Sequence, residues 1–268
     1  MSLLAVKLLL APAFVVGASL AARRYGARIG GLLGGLPIVA GPILLVYALA
    51  HGRAFAASAA AGTLLGLVSL IGFVVVYGRL AGRVRWPAAM LSGWLAFIAG
   101  TAIFSELSTA PGVALGLALL SLVIGFALLP RPRDGDVPRP VQPAWDLPLR
   151  ACCAMALVLT LTAIAGWLGP RLSGLLAPFP IIATVLATFT HSQRGAEEAV
   201  RLLRGMVLGY GAFALFCFSL TISLHDLSTA RSFALALGVA LLVQSSAVLL
   251  TIRSTSTATA AASPVQLP

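Results

Sequence analysis

Charge is scarce in this chain. Only 9% of its 268 residues are charged, against about a quarter in a soluble domain. Too little polar material is present to cover a water-facing surface. With 60% hydrophobic residues and a mean hydropathy of +1.03, a soluble globular enzyme and a disordered chain are both excluded. Acids are scarcest of all: Glu106, Asp134, Asp136, Asp146, Glu197, Glu198 and Asp226. None falls at the middle of an apolar run. Cation-coupled carriers commonly keep a carboxylate inside the membrane, so this absence weighs against a cation antiporter. Glu106 is the one acid that a longer helix would draw inward. Cysteine is limited to Cys152, Cys153 and Cys217, all inside apolar segments. They form no metal spacing and no disulfide framework. His51, His191 and His225 are not spaced for a metal either, and no Gly-rich phosphate loop with a lysine is present. The expectation is therefore no enzyme, no cofactor and no metal.

What remains is an integral membrane protein, all-α and polytopic. A spanning helix needs roughly 20 mostly apolar residues. Nine runs qualify, at 3–22, 30–50, 55–77, 87–105, 112–129, 149–168, 172–191, 203–224 and 232–252. The first is read as a span and not as a cleaved signal. Its only early basic residue is Lys7, inside the run, and it ends at Arg23 and Arg24 without a small-residue cleavage site.

The net charge of +11 does not signal nucleic acid, because the basic residues are dispersed between the apolar runs. The odd-numbered loops hold Arg23, Arg24, Arg28, Arg79, Arg83, Arg85, Arg131, Arg133, Arg139, Arg150, Arg194, Arg201 and Arg204. The even-numbered loops hold only Arg53, Arg171 and Arg231. By the positive-inside rule the odd loops are cytoplasmic, the N-terminus is outside and the C-terminus is inside. The one long loop, 131–148, is proline-rich and reads as a semi-extended cytoplasmic linker. The stretch 254–268 lacks apolar periodicity and reads as a disordered cytoplasmic tail.

Shifted by 143 residues, the chain matches itself without gaps. Between 7–66 and 150–209 there are 17 identities in 60 positions. Gly26, Arg28, Gly31, Pro37, Gly52, Gly62 and Gly66 all fall on their own kind. Shared membrane composition alone does not place arginines, glycines and prolines at one fixed offset, so this is read as an internal repeat. The repeats are 1–108 and 149–253, four helices each, with a linker helix at 109–130. The odd linker helix flips the second repeat, giving inverted repeats, a recurring plan of secondary transporters.

Within the second repeat, Ser173-Gly-Leu-Leu-Ala-Pro-Phe-Pro-Ile181, His191-Ser-Gln-Arg-Gly195 and the segment from Glu197 to Arg201 resemble the GlpM family of small bacterial inner-membrane proteins. The match covers roughly 150–252. The first repeat departs from it, with Leu36 in place of the aromatic and His51-Gly-Arg in place of the turn. The resemblance implies a tandem GlpM-like protein of the bacterial cytoplasmic (inner) membrane, and it carries no activity with it.

Chemistry is expected at the second and seventh spans. Gly34, Gly35, Pro37 and Gly41 interrupt one, and Pro178 and Pro180 the other. Proline inside a helix removes a hydrogen bond and clashes with the preceding turn. Freed backbone groups cannot face lipid, and paired interruptions in two halves point to a transporter's binding site. Simple kinks with close packing are the competing reading. Thr184, Thr188 and His191 share one face of the seventh span, although threonine hydroxyls also bond back to their own helix. Gln244 lies deep in the ninth span, as a solute ligand or as a tie between helices. Lys7 and Arg150 occupy matching places, where snorkelling to the headgroups competes with anion attraction. The leading expectation is a secondary transporter or permease of a small polar or anionic solute. A non-transporting membrane scaffold is the alternative, and the missing acid/base cluster disfavours a lipid enzyme. The expected partners are the bilayer and a small-molecule solute, with further copies of the chain left open and no nucleic acid.

Overall fold

The computed structural model describes residues 3–107, 109–132, 145–165 and 175–261. The side chain of Lys7, the glycines Gly169 and Gly174, Arg171 and most of the proline-rich loop lie outside the described residues. Ten helices follow in order: α1 (Leu3–Tyr25), α2 (Ala27–Gly34), α3 (Ala40–His51), α4 (Arg53–Leu80), α5 (Trp86–Ser105), α6 (Pro111–Leu128), α7 (Asp146–Ala165), α8 (Ile181–Arg194), α9 (Ala196–Asp226) and α10 (Thr229–Ala261). No strand occurs among the described residues. Five helices are long and apolar enough to cross a membrane: α4, α5, α6, α9 and the Thr229–Thr251 part of α10.

Burial sorts these five into two groups. In α4 and α9, 72% and 67% of the most apolar window is buried; in α5, α6 and α10 only 22%, 22% and 17% is. The outer helices expose Leu91, Leu95, Ile98, Val123, Leu241 and Leu242. Such faces are stable against hydrocarbon and not against water. The core is the packed pair α4–α9, filled by Phe73, Tyr77, Leu203 and Met206.

The second expected span is two helices, because the chain breaks after Gly34 and restarts at Ala40. Pro37 has no amide hydrogen to continue the ladder. The seventh breaks likewise before Ile181, at Pro178 and Pro180. The two breaks share one hydrogen-bond pattern at the 143-residue offset. Ile38 N–H donates to Leu36 O (2.8 Å) and Ile181 N–H to Phe179 O (2.7 Å). Gly41 N–H donates to Pro37 O and Thr184 N–H to Pro180 O, both at 2.8 Å. Gly52 and Gly195, at the same offset, turn the chain into α4 and α9 with φ of 90° and 88°, a region that only glycine enters cheaply.

Contacts between the halves are reciprocal. A Cβ on Gly66 would overlap Leu175 O, and one on Gly209 would overlap Leu32 O; Leu32 and Leu175 are themselves 143 apart. α5 packs on α8 as α10 packs on α3, while α1 packs on α7. α6 has no counterpart and lies against both α4 and α9.

Two stretches depart from the sequence reading. α7 begins at Asp146, ahead of the expected 149, since Pro148 sits in its first turn, where a missing amide costs no hydrogen bond. α10 continues to Ala261, into the stretch read as a disordered tail.

Candidate functional site

The proline breaks meet in space. Gly34, Leu36, Pro37, Val39 and Ala40 from one half, and Ala177, Pro178, Phe179, Pro180, Ile182 and Ala183 from the other, line a single cavity of about 30 Å³. Leu70, Tyr210 and Phe213 close it. Pro37, Pro178 and Pro180 are all buried, so neither break faces outward. α3 and α8 both begin at this cavity. Helix N-termini carry partial positive charge, although the amides of Gly41, Ile181 and Thr184 already donate to Pro37 O, Phe179 O and Pro180 O. The side-chain lining is nonetheless apolar, and the space holds about two waters by volume.

The residues expected to bind solute divide by placement. Gly34, Pro37, Pro178 and Pro180 line the cavity. Gly35 serves close packing, since a Cβ there would come within 2.6 Å of Gly209 backbone. Gly41 faces the Phe216 ring at ordinary contact distance. Thr184 and Thr188 are buried beside the cavity without lining it. The Thr184 hydroxyl accepts from Trp94 Nε1 at 2.9 Å, and the Thr188 hydroxyl donates to Thr184 O at 2.7 Å. His191 Nδ1 lies 3.2 Å from the Tyr77 hydroxyl. Gln244 Nε2 donates to Leu32 O at 2.6 Å, tying α10 to the end of α2. Each break is thus held by the outer helix of its partner contact. Trp94 of α5 packs tilted and Phe97 edge-on against Phe179, and Gln244 of α10 grips Leu32. Glu106 is exposed at the end of α5 and is not drawn inward.

A second cavity is far larger, about 400 Å³, lined by Ala57, Ser58, Ala61, Gly62, Leu65, Leu107, Thr109, Pro111, Leu175, Thr221 and His225. It lies at the end of the bundle where α4 begins and α9 finishes. The same end has Arg53 Nη1 donating to Leu227 O at 2.9 Å. Gly66 lies against Leu175, which lines this cavity, and against Pro178, which lines the smaller one; a Cβ on Gly66 would overlap both.

The opposite end is closed by a polar cluster that sequence reasoning missed. Asp146, with 0% of its side chain exposed, accepts from Arg23 Nη2 (2.6 Å) and Arg150 Nε (2.9 Å), and from Gln193 Nε2. Arg150 does not snorkel; its side chain is 4% exposed and its guanidinium lies 4.8 Å from the Phe189 ring centre. Burial alone pushes the Asp146 carboxyl up. Hydrogen bonds from Gln193 and Arg150, the Arg150 charge and the Arg23 hydrogen bond outweigh it and hold the carboxyl below the ordinary range. The i, i+4 spacing of Asp146 and Arg150 was the one available signal.

No family model, curated protein or solved structure matches the chain.

Proposed function

We propose that the chain is a secondary transporter or permease for a small polar or anionic solute. In this reading it has nine spans, arranged as two inverted repeats around the crossing of the broken helices, in a bacterial inner membrane with the N-terminus outside. The two halves are then fused GlpM-like units. The observation that carries the reading is the convergence of two proline-broken helices, with matched hydrogen bonds, on one buried cavity. Discontinuous helices meeting at mid-depth between inverted repeats are a recurring form of transporter site. Two helices that begin at one cavity favour an anionic or hydrogen-bonding solute without any charged side chain.

In this reading the 400 Å³ cavity is a vestibule from the outer face, and the contact of Gly66 with Leu175 and Pro178 separates it from the smaller cavity. The Asp146 cluster closes the cytoplasmic end. This combination is an outward-facing state. One observation favours a non-transporting scaffold instead: the central cavity is apolar and only about 30 Å³, as a tightly packed core would be.

Uptake into proteoliposomes of a panel of radiolabelled carboxylates, phosphate and amino acids separates the two. The transport reading expects saturable uptake of at least one compound. It expects loss of that uptake in Ala61→Trp, which fills the vestibule, and impairment in the Thr184→Val/Thr188→Val double variant, with normal expression. No uptake of any compound, with a stoichiometric protein partner co-purifying, supports the scaffold.

A further inference from the structure

Where α1, α7 and α8 come together, the Asp146 cluster encloses a cavity of about 10 Å³, lined by Ser19, Ala22, Arg23, Ala27, Arg150, Leu186, Thr190, Arg194 and Leu202. That is room for about one water. Two of its donors have no partner. The Ser19 hydroxyl is buried, in a residue only 3% exposed, and Arg23 Nε is buried as well. Among the described residues, Arg23 and Arg150 share the single carboxylate of Asp146, two positive charges against one negative. Asp146 does not line the cavity and already accepts from three side chains, which leaves it little capacity for a further donor. The lining therefore offers donors and excess positive charge, in a space too small for an oxyanion.

We propose that this cavity is a binding site for one halide-sized anion, held by the Ser19 hydroxyl and Arg23 Nε–H beside the Arg150 guanidinium. A chloride there accepts both unpartnered hydrogen bonds and offsets the surplus charge, which a water does not. The site ties the end of α1 to the starts and ends of α7 and α8, so its occupancy stabilises the closed end of the bundle. It stands independently of the transport reading.

Thermal unfolding of the purified protein in detergent tests it, with chloride replacing gluconate stepwise at constant ionic strength. A ligand that binds only the folded state raises Tm in a saturable way. The expected result is such a rise in the wild-type protein. It should be weakened in Ser19→Ala and retained in Ser58→Ala, which alters the other cavity. Wild-type protein should also broaden the chloride-35 NMR line, and bromide should compete that broadening away. Equal Tm in the two salts, absence of competed broadening, or a Ser19→Ala response equal to wild type would each overturn the site, leaving a water in the cavity. Neither readout depends on flux, so failure here and failure of transport are separable.

Discussion

Asp146 carries the least exposed charge in the described structure and joins three helices through Arg23, Arg150 and Gln193. A buried ion pair is weak grounds for net stability, because desolvation offsets the attraction. Removing one partner is different, since it strands a buried charge and costs about 3–5 kcal/mol. Asp146→Asn should therefore lower the unfolding temperature strongly at neutral pH. The pH dependence has a definite sign. The folded carboxyl titrates below its unfolded value of about 4, so its contribution is present above that value and is lost as pH falls through the folded pKa. Unfolding scans from pH 6 to pH 3 should show an acid loss in the wild type that is smaller in Asp146→Asn; equal acid losses would contradict the assignment. The sequence concealed this cluster for a physical reason. Residues 23, 146 and 193 share no local pattern, and Pro148 made the start of α7 look like loop. The threonines were half legible. Their burial on one face follows from spacing, but the Trp94 partner of Thr184 comes from a helix 90 positions away.

The helices that matter most are the broken ones. Their positions were legible, since Pro37 and Pro180 forbid a continuous ladder wherever the helix packs. What closes them was not. Gln244 holding Leu32, and Trp94 with Phe97 around Phe179, are tertiary contacts that periodicity does not encode. The glycines of α4 and α9 were legible as repeat marks, while their role as close-approach points emerges only in the packing. Gly66 and Gly209 let α4 and α9 touch the backbone of the opposite broken helix. An added methyl there meets a carbonyl oxygen, and backbone moves less readily than a side chain. Gly66→Ala and Gly209→Ala should each destabilise by about 1–3 kcal/mol or more. Gly17→Ala and Gly238→Ala, where nothing lies within 4 Å, should leave stability unchanged or slightly raised by better helix propensity. Denaturant titration of the four variants checks this, and similar losses in both pairs would refute the close-approach role.

Across the described molecule, several contacts of one half recur in the other with the partners exchanged. The matched hydrogen bonds at Pro37 and Pro180 and the Gly66–Leu175 and Gly209–Leu32 contacts fall at the 143-residue offset that the sequence shows. The polar cluster breaks the relation: at the 143-residue offset, Leu3, Gly166 and Ala50 stand opposite Asp146, Arg23 and Gln193, and none of the three can form an ion pair or a side-chain hydrogen bond. One end therefore holds a buried ion-pair cluster and the other a large cavity; under the proposed transport function this asymmetry is an outward-facing state. Under the proposed transport function, the cluster and the large cavity are two sides of one alternating equilibrium. Its most direct test is labelling by a membrane-impermeant maleimide on intact cells, with Cys152, Cys153 and Cys217 replaced by alanine. The account predicts that Ala61→Cys reacts from outside. It predicts that adding Asp146→Asn lowers that reactivity while making Ser19→Cys reactive from the cytoplasmic side of inverted vesicles. Failure of Ala61→Cys to react from outside, or equal reactivity with and without Asp146→Asn, would contradict it.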